Sequence, residues 1–198
     1  MHSRGPLLTS RVLRRRPRGE PVRPADVRIE GDGVTLRPWA ERDLPQLVAV
    51  FDHPEMAHRL PVPTPFGLLA AAGYLARVRH AETTGDRIYL AITSGDDLAR
   101  GEVMLNPAAG TIGYAVGPAY RGQRLASRAL RLMTEYAHTV VGLPTVYLEI
   151  EADNDSSMAV ARAAGYRPTG EEPVVVEDKG RRYALHRWAH PDPRSAVV

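Results

Sequence analysis

The residues best suited to chemistry lie in GPAYRGQRLA, residues 117–126, where two glycines and two arginines precede a segment with helical periodicity. The first turn of a helix leaves four backbone N–H groups without intrahelical partners, and the helix dipole adds about half a positive charge there. Glycine lets the backbone approach a ligand closely, and arginine adds a forked, permanently charged donor. The stretch therefore predicts a phosphate-binding site. The alternative is a surface turn with solvated arginines.

Strand patterns before this stretch predict a sheet that ends where the glycines begin. Four runs are rich in β-branched and apolar residues, namely 34–39, 87–93, 99–105 and 111–116. Short turn segments join the last three runs, which is typical of an antiparallel meander.

Helical periodicity appears in three segments. Apolar residues recur at helical spacing over 44–51 and again over 125–140. Between them, Thr64 is a candidate cap and Pro65 suits the first helical position, so we predict a helix from there through 68–80.

The order strand, helix, strand around the glycine-rich stretch predicts a crossover. A further apolar run at 145–150 follows the long helix. A right-handed crossover would place 111–116 and 145–150 parallel in one sheet. The glycine-rich stretch then lies at the carboxyl end of a strand, where open α/β sheets bind ligands.

The last third of the chain predicts a short helix and a closing hairpin. The helix has Asn154 or Asp155 as its N-cap and Gly165 as a left-handed stop. The hairpin joins the runs 173–177 and 181–189.

Together these segments resemble the GNAT superfamily of acyl-CoA-dependent N-acyltransferases, in the branch of the RimJ and RimL ribosomal-protein N-terminal acetyltransferases. The resemblance covers roughly residues 33–190. The family motif Gln/Arg-x-x-Gly-x-Gly/Ala is matched over residues 121–126, with Arg124 in place of the second glycine. TIGYAV, EADNDSSMAVARAAGY and VTLRPWAERDL match further segments of the branch in the same order.

The resemblance implies an α/β (α+β) fold. We expect a mixed, mostly antiparallel sheet of six to seven strands, flanked by helices, with a splayed parallel strand pair that admits acyl-CoA. Acetyl-CoA is the expected co-substrate, and no metal is expected.

The resemblance also assigns the CoA-binding residues. The pyrophosphate is expected on the segment before the long helix, formed by Arg121, Gly122, Gln123, Arg124, Leu125 and Ala126. In this family the pantetheine arm pairs like an extra strand, so the main chain of Tyr114, Ala115 and Val116 is expected to hold it. Asn154, otherwise a plain N-cap, and Ser157 are expected to contact the CoA as well.

The implied reaction is direct attack of a primary amine on the thioester, which needs a base for the ammonium and an acid for the leaving thiolate. Many members place a tyrosine acid where this chain has Ala161, so Ser157 is the expected acid. Glu102 is the first candidate for the base, followed by Glu177 and then Glu149, and a water relay is the alternative.

The sequence alone does not identify the acceptor. A protein or peptide N-terminus is favoured by the RimJ and RimL resemblance, and a small amine is the next candidate. Two other hypotheses are a longer acyl donor and a non-catalytic acyl-CoA-binding module, the latter suggested by the departures at Arg124 and Ala161.

Composition sets the remaining expectations. We predict an arginine-rich tail over 1–26, one acyltransferase domain over 27–190 and a C-terminal tail over 191–198. The first segment holds seven arginines and predicts a flexible or partner-docked tail, with nucleic-acid binding or a transit-like leader as alternatives.

The chain has no cysteine, which fits a cytoplasmic protein, and no apolar run approaches the roughly 18 residues of a membrane span. A homodimer through the closing hairpin is expected from the resemblance alone.

Two other classes of site have little support in the sequence. The chain lacks the Gly-x-x-x-x-Gly-Lys-Ser/Thr loop of nucleotide triphosphatases. No paired metal-ligand spacing backed by a carboxylate or cysteine occurs among six histidines, which favours surface or structural roles for His53, His58, His80, His138, His186 and His190.

Overall fold

Nine strands form one mixed sheet in the computed structural model, which describes residues 27–196. The strands are β1 (Ile29–Gly31), β2 (Val34–Pro38), β3 (Ile88–Thr93), β4 (Gly101–Asn106), β5 (Thr111–Val116), β6 (Thr145–Glu151), β7 (Arg167–Pro168), β8 (Val174–Asp178) and β9 (Arg181–Pro191). Their order in the sheet is β1-β2-β3-β4-β5-β6-β9-β7, and β8 also pairs with β9. All neighbours are antiparallel except β5 and β6, which are parallel.

Five α-helices lie within residues 27–196. They are α1 (Leu44–Phe51), α2 (Pro54–Arg59), α3 (Leu68–Thr84), α4 (Leu125–Tyr136) and α5 (Asp155–Ala163). A π-helical turn at Ala137–Val141 extends α4, and Gly142 ends it in the left-handed region at φ 84°.

Each face of the sheet has its own apolar core. On one face, α4 and α5 pack against the sheet around buried residues that include Leu90, Val103, Ile112, Leu130, Met133 and Leu148. On the other face, α1 and α3 cover the first half of the sheet around Trp39, Leu47, Phe51, Phe66, Leu75 and Ala91. Because side chains alternate along a strand, neighbouring residues of β4 and β5 enter different cores.

The predicted meander, crossover and closing hairpin are confirmed. The strands β3, β4 and β5 pair in sequence, α4 connects β5 to a parallel β6, and β8 pairs with β9. The predicted count of six to seven strands was too low. The short strands β1 and β7 were missed, since three and two residues are too few to show alternation.

The predicted start of the second long helix was wrong. Helix α3 begins at Leu68 with Gly67 as its N-cap, and not at the Thr64–Pro65 pair. Phe66 is buried, and its N–H donates to the carboxylate of Asp52 at 2.9 Å. This contact holds the preceding residues outside the helix.

The two predicted tails, 1–26 and 191–198, are described only in part. The arginine-rich segment 1–26 lies outside the described residues. At the other end β9 runs to Pro191, and the N–H of Asp192 donates to the carbonyl of Pro144 at 2.8 Å. A 3-10 turn follows at Pro193–Ala196. Among the described helices, none has the length and apolar character that crossing a membrane requires.

The glycine at the start of β4 provides a test of the strand pairing. A Cβ atom on Gly101 would lie 2.4 Å from the carbonyl oxygen of Ala115 and 3.0 Å from the Cα of Val116. We expect Gly101→Ala to lower the free energy of unfolding by about 2 kcal/mol, because the backbone of β5 must move. Gly73→Ala on α3, where no atom lies within 4 Å, is the control and should be stabilising. Equal effects of the two changes in urea denaturation would contradict this pairing.

Candidate active site

A cleft of about 790 Å³ opens where β5 and β6 diverge. Its walls come from these two strands, from α2 and α5, and from the segment that precedes α4. The parallel pair has a single register match, Thr111 with Tyr147. Toward their carboxyl ends the two strands therefore lie apart.

The main chain of β5 faces the cleft along the edge that β6 leaves. On its other side β5 pairs with β4 from Thr111 to Val116. Tyr114, Ala115 and Val116 line the cleft. An extended, amide-rich ligand can pair with such an edge as an added strand, which is the geometry predicted for pantetheine.

The backbone before α4 has two residues in left-handed conformations. Gly122 has φ 79° and Arg124, the N-cap residue, has φ 55°. The family motif places glycine at the position of Arg124, and the positive φ explains that preference. Both residues line the cleft, together with Leu125 and Ala126 at the start of the helix.

The other two predicted phosphate-segment residues have different surroundings. Arg121 lines the cleft, and its Nη1 donates to the carboxylate of Glu55 on α2 at 2.8 Å. This hydrogen bond lowers the pKa of Glu55. Gln123 is not among the lining residues, and its carbonyl accepts from Arg128 at 2.8 Å.

Two hydroxyl groups meet in the cleft across 43 residues of sequence. The hydroxyl oxygens of Tyr114 and Ser157 lie 2.7 Å apart, and Asn154 caps α5 by accepting from the N–H of Ser157 at 3.1 Å. Burial raises the pKa of Tyr114 to about 12, so this hydroxyl keeps its proton at neutral pH. All three residues line the cleft.

The side chain of Tyr114 is a candidate site group that the sequence did not predict. The sequence suggested only a role for its main chain. The alternation of TIGYAV was the available signal, because it places Tyr114 on the same face as Ile112, toward α4 and α5. The usual tyrosine position on α5 is the fully buried Ala161, so a hydroxyl from β5 lies beside Ser157.

The predicted base Glu102 lies outside the cleft lining. Its carboxylate is buried on the α3 face of the sheet, where it accepts from Trp39 Nε1 at 2.8 Å and from the Tyr74 hydroxyl at 2.6 Å. Burial raises the pKa of Glu102 to about 7. Glu177 is exposed on β8, also away from the lining residues. Of the predicted carboxylates, only Glu149 lines the cleft, and Arg187 donates to it at 3.4 Å.

An ion-pair network closes one end of the cleft. The carboxylate of Glu151 accepts from Arg59 at 2.9 Å and from Arg181 at 2.5 and 2.9 Å. These arginines lower the pKa of Glu151, the hydrogen bond from Arg181 having the largest effect. Potential ligand atoms of His58, Glu151 and Asp153 lie within 4.8 Å of one another. Arginine nitrogens already occupy both carboxylates, which favours an ion-pair network over a metal site.

The family model for the acetyltransferase (GNAT) domain matches residues 34–167. The chain belongs to this family. The match runs from β2 to the start of β7 and so includes both strands of the cleft, α4 and α5.

Two relatives match parts of the chain. Spermidine N(1)-acetyltransferase of Escherichia coli is 34% identical over 56 residues, which is 28% of this chain and 30% of that protein. N-alpha-acetyltransferase RimI of Mycobacterium tuberculosis is 40% identical over 60 residues, which is 30% of this chain and 34% of that protein. The chain therefore aligns with about a third of the length of these relatives.

Solved structures share the fold over most of the chain. Mycobacterium smegmatis RimJ, in complex with CoA-disulfide, has a TM-score of 0.69 at 19% identity and covers 83% of this chain and 84% of its own. RimL, a ribosomal L7/L12 alpha-N-protein acetyltransferase in complex with coenzyme A, has a TM-score of 0.65 at 20% identity and covers 83% of this chain and 98% of its own.

The left-handed conformation of Arg124 leads to a stability prediction. A side chain with φ near 55° costs about 1 kcal/mol relative to glycine. We therefore expect Arg124→Gly to unfold with a free energy about 1 kcal/mol higher than Arg124→Ala, which removes the same charge but keeps the strained backbone. Urea denaturation of the two variants measures the difference, and equal midpoints would argue against a left-handed residue here.

The buried carboxyl of Glu102 predicts a dependence of stability on pH. Its pKa is about 7 in the folded protein against an ordinary value of 4.5, so between these values the folded state binds more protons. Stability should therefore fall as the pH rises through this window, by about 3 kcal/mol in total. Glu102→Gln stays neutral and should lose this contribution, so its stability relative to the wild type should rise from about pH 4.5 to pH 8. A difference that is constant with pH in denaturation experiments would contradict the raised pKa.

Proposed function

We propose that the protein is an N-acetyltransferase that moves the acetyl group of acetyl-CoA directly to a primary amine. The observation that carries the proposal is the meeting of three features in one cleft. These are an unpaired strand edge, the amino end of a helix and a pair of hydrogen-bonded hydroxyls. Each fits a different part of acetyl-CoA.

The residues of the cleft fit the ligand from its phosphates to its thioester. The amides from Gly122 to Ala126 are proposed to bind the pyrophosphate, with Arg121 and Arg124 as cationic neighbours. The edge from Tyr114 to Val116 is proposed to pair with the pantetheine arm and to polarise the thioester carbonyl. Asn154 lies beside this path at the start of α5.

The proposed reaction forms one bond and breaks one. The neutral amine attacks the acetyl carbon, a C–N bond forms, and the C–S bond breaks to release CoA thiolate. Ser157, hydrogen-bonded to Tyr114, is proposed to pass a proton to the thiolate, and the proton that the nitrogen loses as the amide forms restores the Ser157 hydroxyl. Glu149, the predicted carboxylate that lines the cleft, is proposed to receive the proton of the ammonium, directly or through water.

The charges of the cleft favour an acceptor with one amine. The three carboxylates that line it each have an arginine partner, and the pairs are Glu55 with Arg121, Glu149 with Arg187, and Glu151 with Arg59 and Arg181. A polyamine keeps a second ammonium after one amine is deprotonated, and each of these carboxylates already has an arginine as its ionic partner. We therefore propose a peptide N-terminus as the acceptor, the substrate type that the names of RimI and RimL state for those proteins. A small monoamine is the second candidate.

Two wider expectations remain proposals. A cytoplasmic location agrees with the use of acetyl-CoA and with the absence of cysteine. A homodimer through the closing hairpin agrees with the exposure of two apolar residues on β8, Val174 at 51% and Val175 at 56%.

Release of free thiol from acetyl-CoA tests the function. We expect thiol release with a peptide that has a free N-terminal serine, none with the same peptide acetylated at its N-terminus, and weaker release with spermidine. Ser157→Ala should lower kcat by about 100-fold and lower acetyl-CoA affinity far less, because the hydroxyl acts mainly on the leaving thiolate.

Ser94→Ala, outside the cleft lining, is the control and should keep the activity of the wild type. Tight CoA binding without thiol release for any amine would instead support a non-catalytic acyl-CoA-binding module. Equal activity of the Ser157→Ala protein and the wild type would remove Ser157 from the mechanism.

A further inference from the structure

The chain contains 25 arginines and a single lysine, Lys179. The lysine lies at the tip of the β8–β9 hairpin, between Asp178 and Gly180. It has φ 50°, a left-handed conformation that a lysine adopts only at a cost. The single lysine of the chain therefore lies in a costly backbone conformation, which indicates that this position requires an ammonium group.

The ammonium of Lys179 donates to three main-chain carbonyls beside the end of α2. The acceptors are the carbonyls of Ala57, Leu60 and Val62, at 2.9, 2.8 and 2.6 Å from Nζ. An ammonium has three N–H donors that point in different directions, and here each has an acceptor. The planar fork of a guanidinium cannot converge on three carbonyls in this way.

A second residue of the hairpin contacts the same end of α2. Arg181 donates through Nη2 to the carbonyl of His58 at 3.0 Å, and it also binds the carboxylate of Glu151. The carboxyl end of a helix has unpaired carbonyls and a partial negative charge. Two cations of the hairpin therefore fasten the end of α2 to β6 and β9.

The other end of α2 is fastened across the cleft. Glu55 in its first turn pairs with Arg121, which belongs to the segment after β5. Between these two attachments, Met56 and Arg59 line the cleft. Helix α2 is thus a strap over the gap between β5 and β6, held on one side by Arg121 and on the other by Lys179.

The strap lies on the side opposite to the proposed CoA-binding helices. Residues Leu148 and Ile150 of β6 enter the core with α4 and α5. Their neighbours Glu149 and Glu151 are on the other face, where Glu151 meets Arg59 of α2 and Arg181 of the hairpin. The hairpin and the strap therefore border the face from which the acceptor amine would approach.

We propose that Lys179 is a positioning residue that sets the acceptor-binding side of the cleft by fixing α2 to the hairpin. This inference rests on the proposed acetyl transfer and goes beyond it. Lys179 does not touch the reacting atoms. Its loss should weaken acceptor binding and leave the CoA side intact.

Steady-state kinetics of three full-length variants test the proposal. Lys179→Met removes the donors, Lys179→Arg keeps the charge without the three-way geometry, and Arg182→Met changes an exposed cation of the same hairpin. With the free N-terminal serine peptide, we expect Lys179→Met to raise the acceptor KM by about 10-fold, with the acetyl-CoA KM changed less than about 2-fold. The acceptor KM of Lys179→Arg should lie between the values of Lys179→Met and the wild type. The acceptor KM of Arg182→Met should equal that of the wild type.

Hydrogen exchange of the same proteins tests the attachment without any substrate. Amides of residues 54–62 should exchange about 10-fold faster in Lys179→Met than in Arg182→Met, while those of α4 keep their rates. If the wild type transfers no acetyl group, the proposed function fails, and the exchange data still decide whether Lys179 holds α2.

Four outcomes would overturn the proposal. One is an unchanged acceptor KM in Lys179→Met, and another is an equal rise in the KM of both substrates. The third is global unfolding of Lys179→Met, because Lys179 would then support the whole fold and not the position of α2. The fourth is an unchanged rate of hydrogen exchange over residues 54–62 in Lys179→Met, which would show that Lys179 does not hold α2.

Discussion

The structure depends on the point at which two neighbouring parallel strands stop pairing. Beyond the match of Thr111 with Tyr147, β5 and β6 separate, and main-chain groups in the middle of the sheet have no strand partner across the gap. Main-chain groups that face a cleft take their hydrogen-bond partners from water or from a ligand, so the gap suits a ligand that carries amides. The surrounding elements form the walls of this gap. Helices α4 and α5 pack below it, α2 crosses above it, and the start of α4 provides amides at its end.

Arginine pairing sets the electrostatic character of the cleft. Glu55, Glu149 and Glu151 each have a guanidinium partner, and Glu151 is mostly buried within its pairs. Exposed pairs of this type add little to stability, about 0–1 kcal/mol each. Their main effect is on the net charge of the cleft. They leave it nearly neutral, while many polar groups still lie near the acceptor. Such a lining suits a neutral amine and the amides of a peptide.

The sequence was sufficient where the deciding information is local. Periodicity over six to sixteen residues located the central strands and α4, and Gly122, Arg124 and Asn154 line the cleft. It was not sufficient where distant residues decide the outcome. Glu102 is enclosed by Trp39 and Tyr74, which are 63 and 28 residues away, and nothing near Glu102 in sequence indicates that burial. Helix α2 has six residues, too few for a periodic signal, and is held by contacts from Arg121 and Lys179.

The single register match between β5 and β6 also has a mechanical meaning. On either side of it the sheet consists of two hydrogen-bonded blocks, β1 to β5 and β6 to β9. Apart from that match, the blocks are connected by apolar side chains beneath the gap and by the polar contacts of α2 with Arg121 on one side and with Glu151 and Lys179 on the other. Apolar contacts are non-directional and tolerate small displacements that a hydrogen-bonded ladder resists. No strand pair therefore fixes the width of the gap at its carboxyl end, and side-chain packing and the contacts of α2 set that width instead.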